Sequence, residues 1–457
     1  KAPSKYIPQM QCQMAVTGAK WCDFVSFDPR LPNGLQLFVK RVEYDTEYAE
    51  MLASEVFDFL STNSFSRNQM NYSESDGCLY NIHYGDIHAT YYEPILDLDK
   101  CKQVPVIDDD VSISSSISYL KEGDIVMADA SEDYAGVGAT IELLNVNDKK
   151  IVAGLHTLAL RDNLGVTCQG YRAHLFKHPK VSVSLKVIAT GSKVYGISKS
   201  NLLKISLVLP PLPEQQKIAS ILITWDKAIE KLTQLVATKE QLKKGLMQLL
   251  LTGKKRFAGF SEEWEEVKLG KVYEIVGGGT PDTTNISYWN GEIQWFTPTE
   301  IKSKYVSKSI RTISEAGLAK SSAKLLPIGS LLFTSRATIG DVGITKVECT
   351  TNQGFQSFLP SVKGDIAFLY YWIKENRNEF IRRSSGSTFL EISKKEIEKI
   401  KILLPTPKEQ KKIASALSSA DKEIELLKQE LSNLQQQKKG LMQKLLTGEV
   451  RVKIEKK

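Results

Sequence analysis

The amino-acid sequence predicts a mixed chain of helices and strands, in which two dissimilar globular heads are each followed by one of two long, matching coiled-coil helices. Three observations carry this. Leu209–Arg256 recurs without a gap 195 residues later as Leu404–Arg451, with 27 of the 48 aligned pairs identical. Within each copy the apolar residues step by four and three, the seam of a coiled coil. Upstream of the copies the sequence differs from one head to the other, apart from a few shared turn-and-strand signals.

Residues 1–52 come first and match neither repeat. The second head opens with Trp264-Glu-Glu-Val-Lys-Leu-Gly270, whereas unrelated sequence runs up to about Ala53 in the first, so a junction is expected between Glu50 and Glu55. Val39–Glu43 has the alternation of a strand that could pack on the first head.

The first head spans 53–208 and the second 258–403. Glu55-Val-Phe-Asp-Phe59 parallels Lys271-Val-Tyr-Glu-Ile275, and Leu120–Met127 parallels Leu326–Phe333, each of the latter reading as a turn that feeds a buried strand. The offset of 195 also reaches back into the end of each head: Gly191-Ser192, Ile197-Ser198-Lys199 and Lys204-Ile205 pair with Gly386-Ser387, Ile392-Ser393-Lys394 and Lys399-Ile400. The joints between head and helix are therefore duplicated as well.

The central repeat helix lies within 209–257 and the C-terminal one within 404–457. Ile218, Leu222, Trp225, Ile229, Leu232 and Val236 form the seam of the first copy, and Ile413, Leu417, Ala420, Ile424, Leu427, Leu431 and Leu434 that of the second. A proline-rich signal introduces each helix and Thr-Gly at 252–253 or 447–448 closes it. About 38 residues at 1.5 Å rise give a helix on the order of 55 Å long, too long to be covered by one small domain. The expected partner of each copy is the other copy.

Composition is compatible with this plan. The chain has 457 residues, 42% of them apolar and 25% charged, with a net charge of +7; this is globular composition with a mild basic excess that suits a polyanion without demanding one. Cys12, Cys22, Cys78, Cys101, Cys168 and Cys349 are scattered with no C-x-x-C pair. That argues for a reducing compartment, the cytoplasm by default, and against a disulfide framework or zinc site. No apolar run reaches the roughly 18 residues of a membrane span.

Leu-Pro-x-x-x-Glu-Gln-x-Lys-Ile-Ala-Ser, Lys-Lys-Gly-Leu-Met-Gln-x-Leu-Leu-Thr-Gly and Gly279-Thr-Pro with Tyr288-Trp-x-Gly-x-Ile-x-Trp295 resemble the specificity subunit of a type I restriction-modification enzyme, over about residues 53–457. The resemblance implies an α/β (α+β) fold of two target recognition domains separated by two long antiparallel coiled-coil helices. Each domain would read one half of a bipartite sequence in double-stranded DNA. The subunit itself would be non-catalytic, binding two methylation subunits and, in the full assembly, restriction subunits. S-adenosylmethionine, ATP and Mg would belong to those partners. Tyr6–Thr17 and Trp21–Arg30 resemble instead the carboxy-terminal part of a lambda-exonuclease-like (YqaJ-type) viral recombinase nuclease. Tyr6 and Gln9 match late active-site positions there, but the metal-binding carboxylates are expected upstream of Lys1, so 1–52 should be inert.

Candidate contacts follow from the duplicated joints. Lys193, Tyr195 and Ser198 in the first head, with Thr388 and Ser393 in the second, sit where a loop meets the long helix; Arg336, Gln353, Arg382 and Arg383 add long donors suited to phosphates or guanine edges. Lys243, Lys244 and Gln248 on one copy, and Lys438, Lys439 and Gln443 on the other, form a repeated surface expected to meet something present twice. Neither catalytic nor metal-binding residues are expected. Pro281-Asp282 with Glu300-Ile301-Lys302 fits a loose metal-nuclease pattern but reads better as a turn. His83 and His88 lack a third ligand nearby. The missing amino-methylation motifs weigh against a self-contained DNA methyltransferase or nuclease, and the two diversified heads weigh against a purely structural coiled-coil adaptor.

Overall fold

The computed structural model describes residues 21–27, 37–43, 49–73, 77–91, 93–101, 103–108, 111–112, 117–386 and 390–454, with 21–52 described by backbone alone. Two compact units result, one of 1–231 with 432–457 and the other of 232–431. Each unit thus contains one head, one end of the central helix and the opposite end of the C-terminal helix. The helices span Leu212–Leu250 and Pro407–Leu446, 39 and 40 residues, and their bounds are those that the proline and Thr-Gly signals predict.

The first head is built on a five-stranded sheet in the order Asp58–Leu60, Thr157–Arg161, Ile125–Ala128, Thr140–Leu144, Ile95–Asp97, antiparallel except for the last pair. The second head repeats it in the order Ile275–Gly277, Gln356–Phe358, Leu331–Phe333, Val342–Thr345, Tyr305–Val306, again with only the last pair parallel. A second sheet in each head also repeats its pairing: Lys150–Ala153 runs parallel to Leu79–Ile82, which pairs antiparallel with Val106–Ile107, as Cys349–Thr351 and Arg311–Ile313 do around Trp289–Phe296. The predicted turns before the buried strands are present. Gly123 and Gly329 hold φ of 78° and 84°, which a residue with a Cβ resists.

The first 52 residues contribute two pairings. Trp21–Phe27 and Leu37–Glu43 form an antiparallel hairpin, which includes the strand expected at Val39–Glu43. Ala49–Leu52 pairs antiparallel with Ser206–Leu209 in the register that Glu265–Lys268 uses with Lys401–Leu404. The lead-in that the sequence of the first head lacks is therefore supplied in backbone form by 49–52. Tyr6 and Gln9 lie outside the described residues.

In each unit the helix ends complete the head's core. Ile218, Ala219 and Leu222 from the start of the central helix join Leu445 and Leu446 from the end of the C-terminal helix around Tyr171, Phe176 and Leu207. Ile413, Ala414 and Leu417 join Met247, Leu250 and Leu251 around Phe333, Phe358, Phe368 and Phe380 in the other unit. Full burial of such side chains contributes roughly 1.5–3 kcal/mol each. The predicted seam residues are all buried or half-buried, and within each unit the two helical segments run antiparallel, as their ion pairs show. Glu214 pairs with Arg451 and Asp226 with Lys438 in one unit; Glu409 pairs with Arg256 and Asp421 with Lys243 in the other.

These pairs account for the duplicated charges. Arg256 donates to both oxygens of Glu409 at 2.9 and 2.7 Å, and Trp264 Nε1 donates to the same carboxylate at 3.2 Å. Arg451 makes the matching fork to Glu214 at 2.7 and 2.6 Å. Both carboxylates are buried, at 0% and 1% exposure. The glutamines that follow face their own heads. Gln215 donates to Val166 O and Pro210 O and accepts from Cys168 N; Gln410 donates to Lys363 O and Pro405 O and accepts from Asp365 N.

Two predictions test this packing. Arg256→Ala removes the counterion of a buried carboxylate and leaves it only the Trp264 donor, so urea unfolding should report a clear loss of stability, whereas Lys254→Ala, on an exposed neighbour, should change little. His174 is fully buried, neither of its ring nitrogens has a hydrogen-bond partner, and burial pushes its pKa down from 6.5 to about 3. A pKa lowered by folding means that the unfolded chain takes up the proton first, so this contribution to stability is full above about pH 6.5 and is lost as pH falls. Unfolding midpoints between pH 7 and 5 should therefore drop less for His174→Leu than for the parent chain.

Candidate functional site

Each head carries the same edge, made where four segments meet. In the first head Ala130–Ser131 pairs antiparallel with Tyr195–Gly196, Thr190 bridges Gly196, Asp129 N donates to His156 O at 3.0 Å, and Asn63 N donates to Ala153 O at 2.9 Å. In the second head Arg336 bridges Glu391, Ser385 bridges the same residue, Ser335 N donates to Gly354 O at 2.8 Å, and Gly279 N donates to Thr351 O at 2.8 Å. The correspondence runs bond for bond. Gly191 and Gly386 turn the chain in both heads at φ of 126° and 125°, and a Cβ on Gly191 would lie 1.9 Å from Val194 O.

On this shared backbone the side chains differ. Lys193 is exposed, and Tyr195 stands edge-on to Tyr134 with ring centroids 5.3 Å apart. Asp129 and His156 lie 3.3 Å apart, oxygen to Nδ1, and burial raises the Asp129 carboxyl above its usual range, with His156 partly offsetting it. They line a cavity of about 490 Å³ with Ser61, Asn63, Ser64 and Thr157. In the second head Arg336 Nε donates to Glu391 at 3.0 Å, with Nη2 2.8 Å from the same oxygen, and Gln353 accepts from the Thr280 hydroxyl.

The structure thus brings Arg336 and Gln353 to one edge, and Lys193 and Tyr195 to its counterpart. Thr388 lies outside the described residues. Ser198 and Ser393 sit at the equivalent place in each head, where each hydroxyl accepts from a backbone N–H at 3.3 Å and caps a short helix. Arg382 and Arg383 stand just before the edge at the end of the helix Arg377–Arg382, and the Arg383 guanidinium is tied to Glu379 at 2.7 Å. Glu391, Asp129 and His156 were not legible as site residues. For Glu391 the 195-residue offset gives only its equivalence to Gly196, with no partner; the other two have no motif around them.

Of the repeated helix surface, Lys243 and Lys438 are half-buried and engaged by Asp421 and Asp226, while Lys244, Gln248, Lys439 and Gln443 are exposed. The loose nuclease pattern is occupied locally. Asp282 accepts from Thr284 N and Oγ1, which holds its carboxyl below the usual range, and Glu300 closes a capping box with Thr297. His83 caps the helix Tyr84–Ala89 through Nδ1, and His88 Nε2 meets Ala130 O at 2.9 Å. No group of three or more His, Cys, Asp or Glu residues among the described residues could hold a metal, and no helix among them is long and apolar enough to cross a membrane.

As caps, Ser198 and Ser393 should each cost about 1 kcal/mol of stability when changed to Ala. Thermal unfolding measures this, and Ser→Asp, which keeps a capping oxygen, should restore most of it.

The Type I restriction modification DNA specificity domain matches this chain over residues 54–242 and 261–436. A type I restriction enzyme MjaIX specificity subunit of Methanocaldococcus jannaschii is 38% identical over 169 residues, covering 36% of this chain and 39% of that protein. A putative MjaX specificity subunit of the same organism is 28% identical over 352 residues, covering 72% and 79%. The S subunit of a type I restriction-modification system from M. genitalium superposes with a TM-score of 0.52 at 14% identity, covering 88% of this chain and 98% of that one; a chain from a type I R-M system solved for its complex assembly and conformational transition gives 0.56 at 16% identity, covering 89% and 99%. Nothing in these matches supports the recombinase-nuclease likeness of residues 1–52.

Proposed function

Since this chain belongs to the type I restriction modification DNA specificity family, we propose that it is the non-catalytic subunit that reads DNA for a type I restriction-modification complex. Each head takes one half-site of a bipartite target in double-stranded DNA, and the helices recruit methylation subunits, two in number, and restriction subunits. S-adenosylmethionine, ATP and Mg act on those partners.

One observation carries the reading: two heads share a backbone edge bond for bond and differ in the polar side chains mounted on it. Base readout needs that division, because backbone pairing fixes position while donors and acceptors on side chains discriminate base edges. Among the described residues the candidates for a self-contained methyltransferase or nuclease are engaged locally: Asp282, Glu300 and His83 serve turns and caps, and His88 meets Ala130 O.

The decisive experiment reconstitutes the chain with methylation subunits, treats a random DNA library and sequences the methylated positions. A motif of two short blocks around an unspecified gap is expected. Methylation by the chain alone, or methylation without sequence preference, overturns the reading.

For the partner surface, Lys244→Glu with Lys439→Glu should reduce the number of methylation subunits bound, as read by native mass measurement. These two lysines are exposed on the repeated face, whereas changing Lys243 or Lys438 would also break an ion pair within a unit. Undiminished binding of partners would remove this face from the interface.

A further inference from the structure

At the corresponding edges of the two heads, each has one side chain held by a carboxylate where the other has none. Arg336 and Glu391 of the second head occupy the bridged positions that Ala130 and Gly196 occupy in the first. Asp129 and His156 of the first occupy the hydrogen-bonded positions of Ser335 and Gly354 in the second. The pairs are therefore not part of what the common backbone requires. Nor are they placed to stabilise it: Arg336 and Glu391 are 48% and 38% exposed, and His156 is 51% exposed, where water screens most of the attraction.

Both pairs sit on strained backbone. His156 has a φ of 55°, and Ala337, next to Arg336, has a φ of 62°, left-handed conformations that residues with a Cβ seldom adopt and that cluster at functional sites.

We propose that each head reads its half-site through a hydrogen-bonding side chain braced by a carboxylate, Arg336 on Glu391 in the second head and His156 on Asp129 in the first. This rests on the DNA-reading role above and names the residues that carry it. Arg336 spends its Nε hydrogen on Glu391 and sets the near side of Nη2 against the same oxygen, which leaves Nη1 and the outer Nη2 hydrogen as an end-on fork. That fork matches the O6 and N7 acceptors of guanine in the major groove. A phosphate contact would gain nothing from the brace, because a neighbouring carboxylate opposes the approach of an anion. In the first head the Nδ1 side of His156 faces Asp129, so only Nε2 remains, a single-point contact with a base edge.

The test profiles methylation by the complex with methylation subunits on DNA randomised across the target, comparing the parent chain with Arg336→Ala, Arg336→Lys, Glu391→Gln and His156→Ala. Arg336→Ala and Arg336→Lys should each lower the preference for one G·C pair in one half-site by about 10-fold to 100-fold, with the other half-site unchanged. Arg336→Lys retains the charge, so its affinity for non-specific DNA should be unaltered. Glu391→Gln, which acts through Arg336, should weaken the same preference by less. His156→Ala should relax a position in the opposite half-site only. The proposal falls if the Arg336 variants lower all positions equally, if they leave the profile intact, or if the Arg336 and His156 variants alter the same half-site. A parent complex with no sequence preference would instead overturn the DNA-reading role itself.

Discussion

Two carboxylates buried away from water, Glu214 and Glu409, impose the condition on which the rest of the molecule depends. A buried charge is tolerated only when paired and hydrogen-bonded on its open lone pairs, and in both places the counterion comes from the end of the other helical copy. Arg451 forks onto Glu214 and Arg256 onto Glu409, the latter with Trp264 as a further donor. An opening turn of one copy is thus complete only with the closing turn of the other beside it. The second set of pairs, Asp226 with Lys438 and Asp421 with Lys243, repeats the condition further along each helical pair. Antiparallel packing is the arrangement in which all four can be satisfied.

The second unit extends the network around Asp421. Tyr371 donates to it, and Lys304 donates to Tyr371 Oη and Ser418 Oγ at 2.7 Å each, with burial holding the Lys304 ammonium below its usual range. In the first unit Glu93 lies near Asp226, and burial with that neighbouring charge raises its carboxyl. These polar clusters lie where head meets helix. They orient the joint more than they strengthen it, since charges removed from water return little net energy.

Much of this plan was legible in the residues because it is written in local periodicity and in repetition. The seam from Ile413 to Leu434, the proline and Thr-Gly signals, and the turns at Gly123 and Gly329 all report short-range physics that a sequence displays directly. What could not be read depends on which distant segments meet. Ala49–Leu52 serves as the lead-in strand of the first head through backbone pairing with Ser206–Leu209, and it has none of the Trp264-to-Gly270 pattern that marks its counterpart. Lys243 and Lys438 read as a surface for a partner because their repetition is visible, whereas Asp421 and Asp226, which engage them, lie 178 and 212 residues away in the chain. The pairs Arg336–Glu391 and Asp129–His156 join separate segments too, and only the common topology of the two heads places them at corresponding edges.

Gln215 and Gln410 add something of a different kind. Each fastens its helix to its head through Val166 and Cys168, or through Lys363 and Asp365, and closes its own lead-in at Pro210 or Pro405; every one of those bonds ends on a main-chain amide or carbonyl. A latch of this sort is blind to the side chains of the segment it holds. The heads can therefore accumulate substitutions on the loops that face a ligand while the grip that anchors them goes on recognising only the peptide backbone common to every sequence.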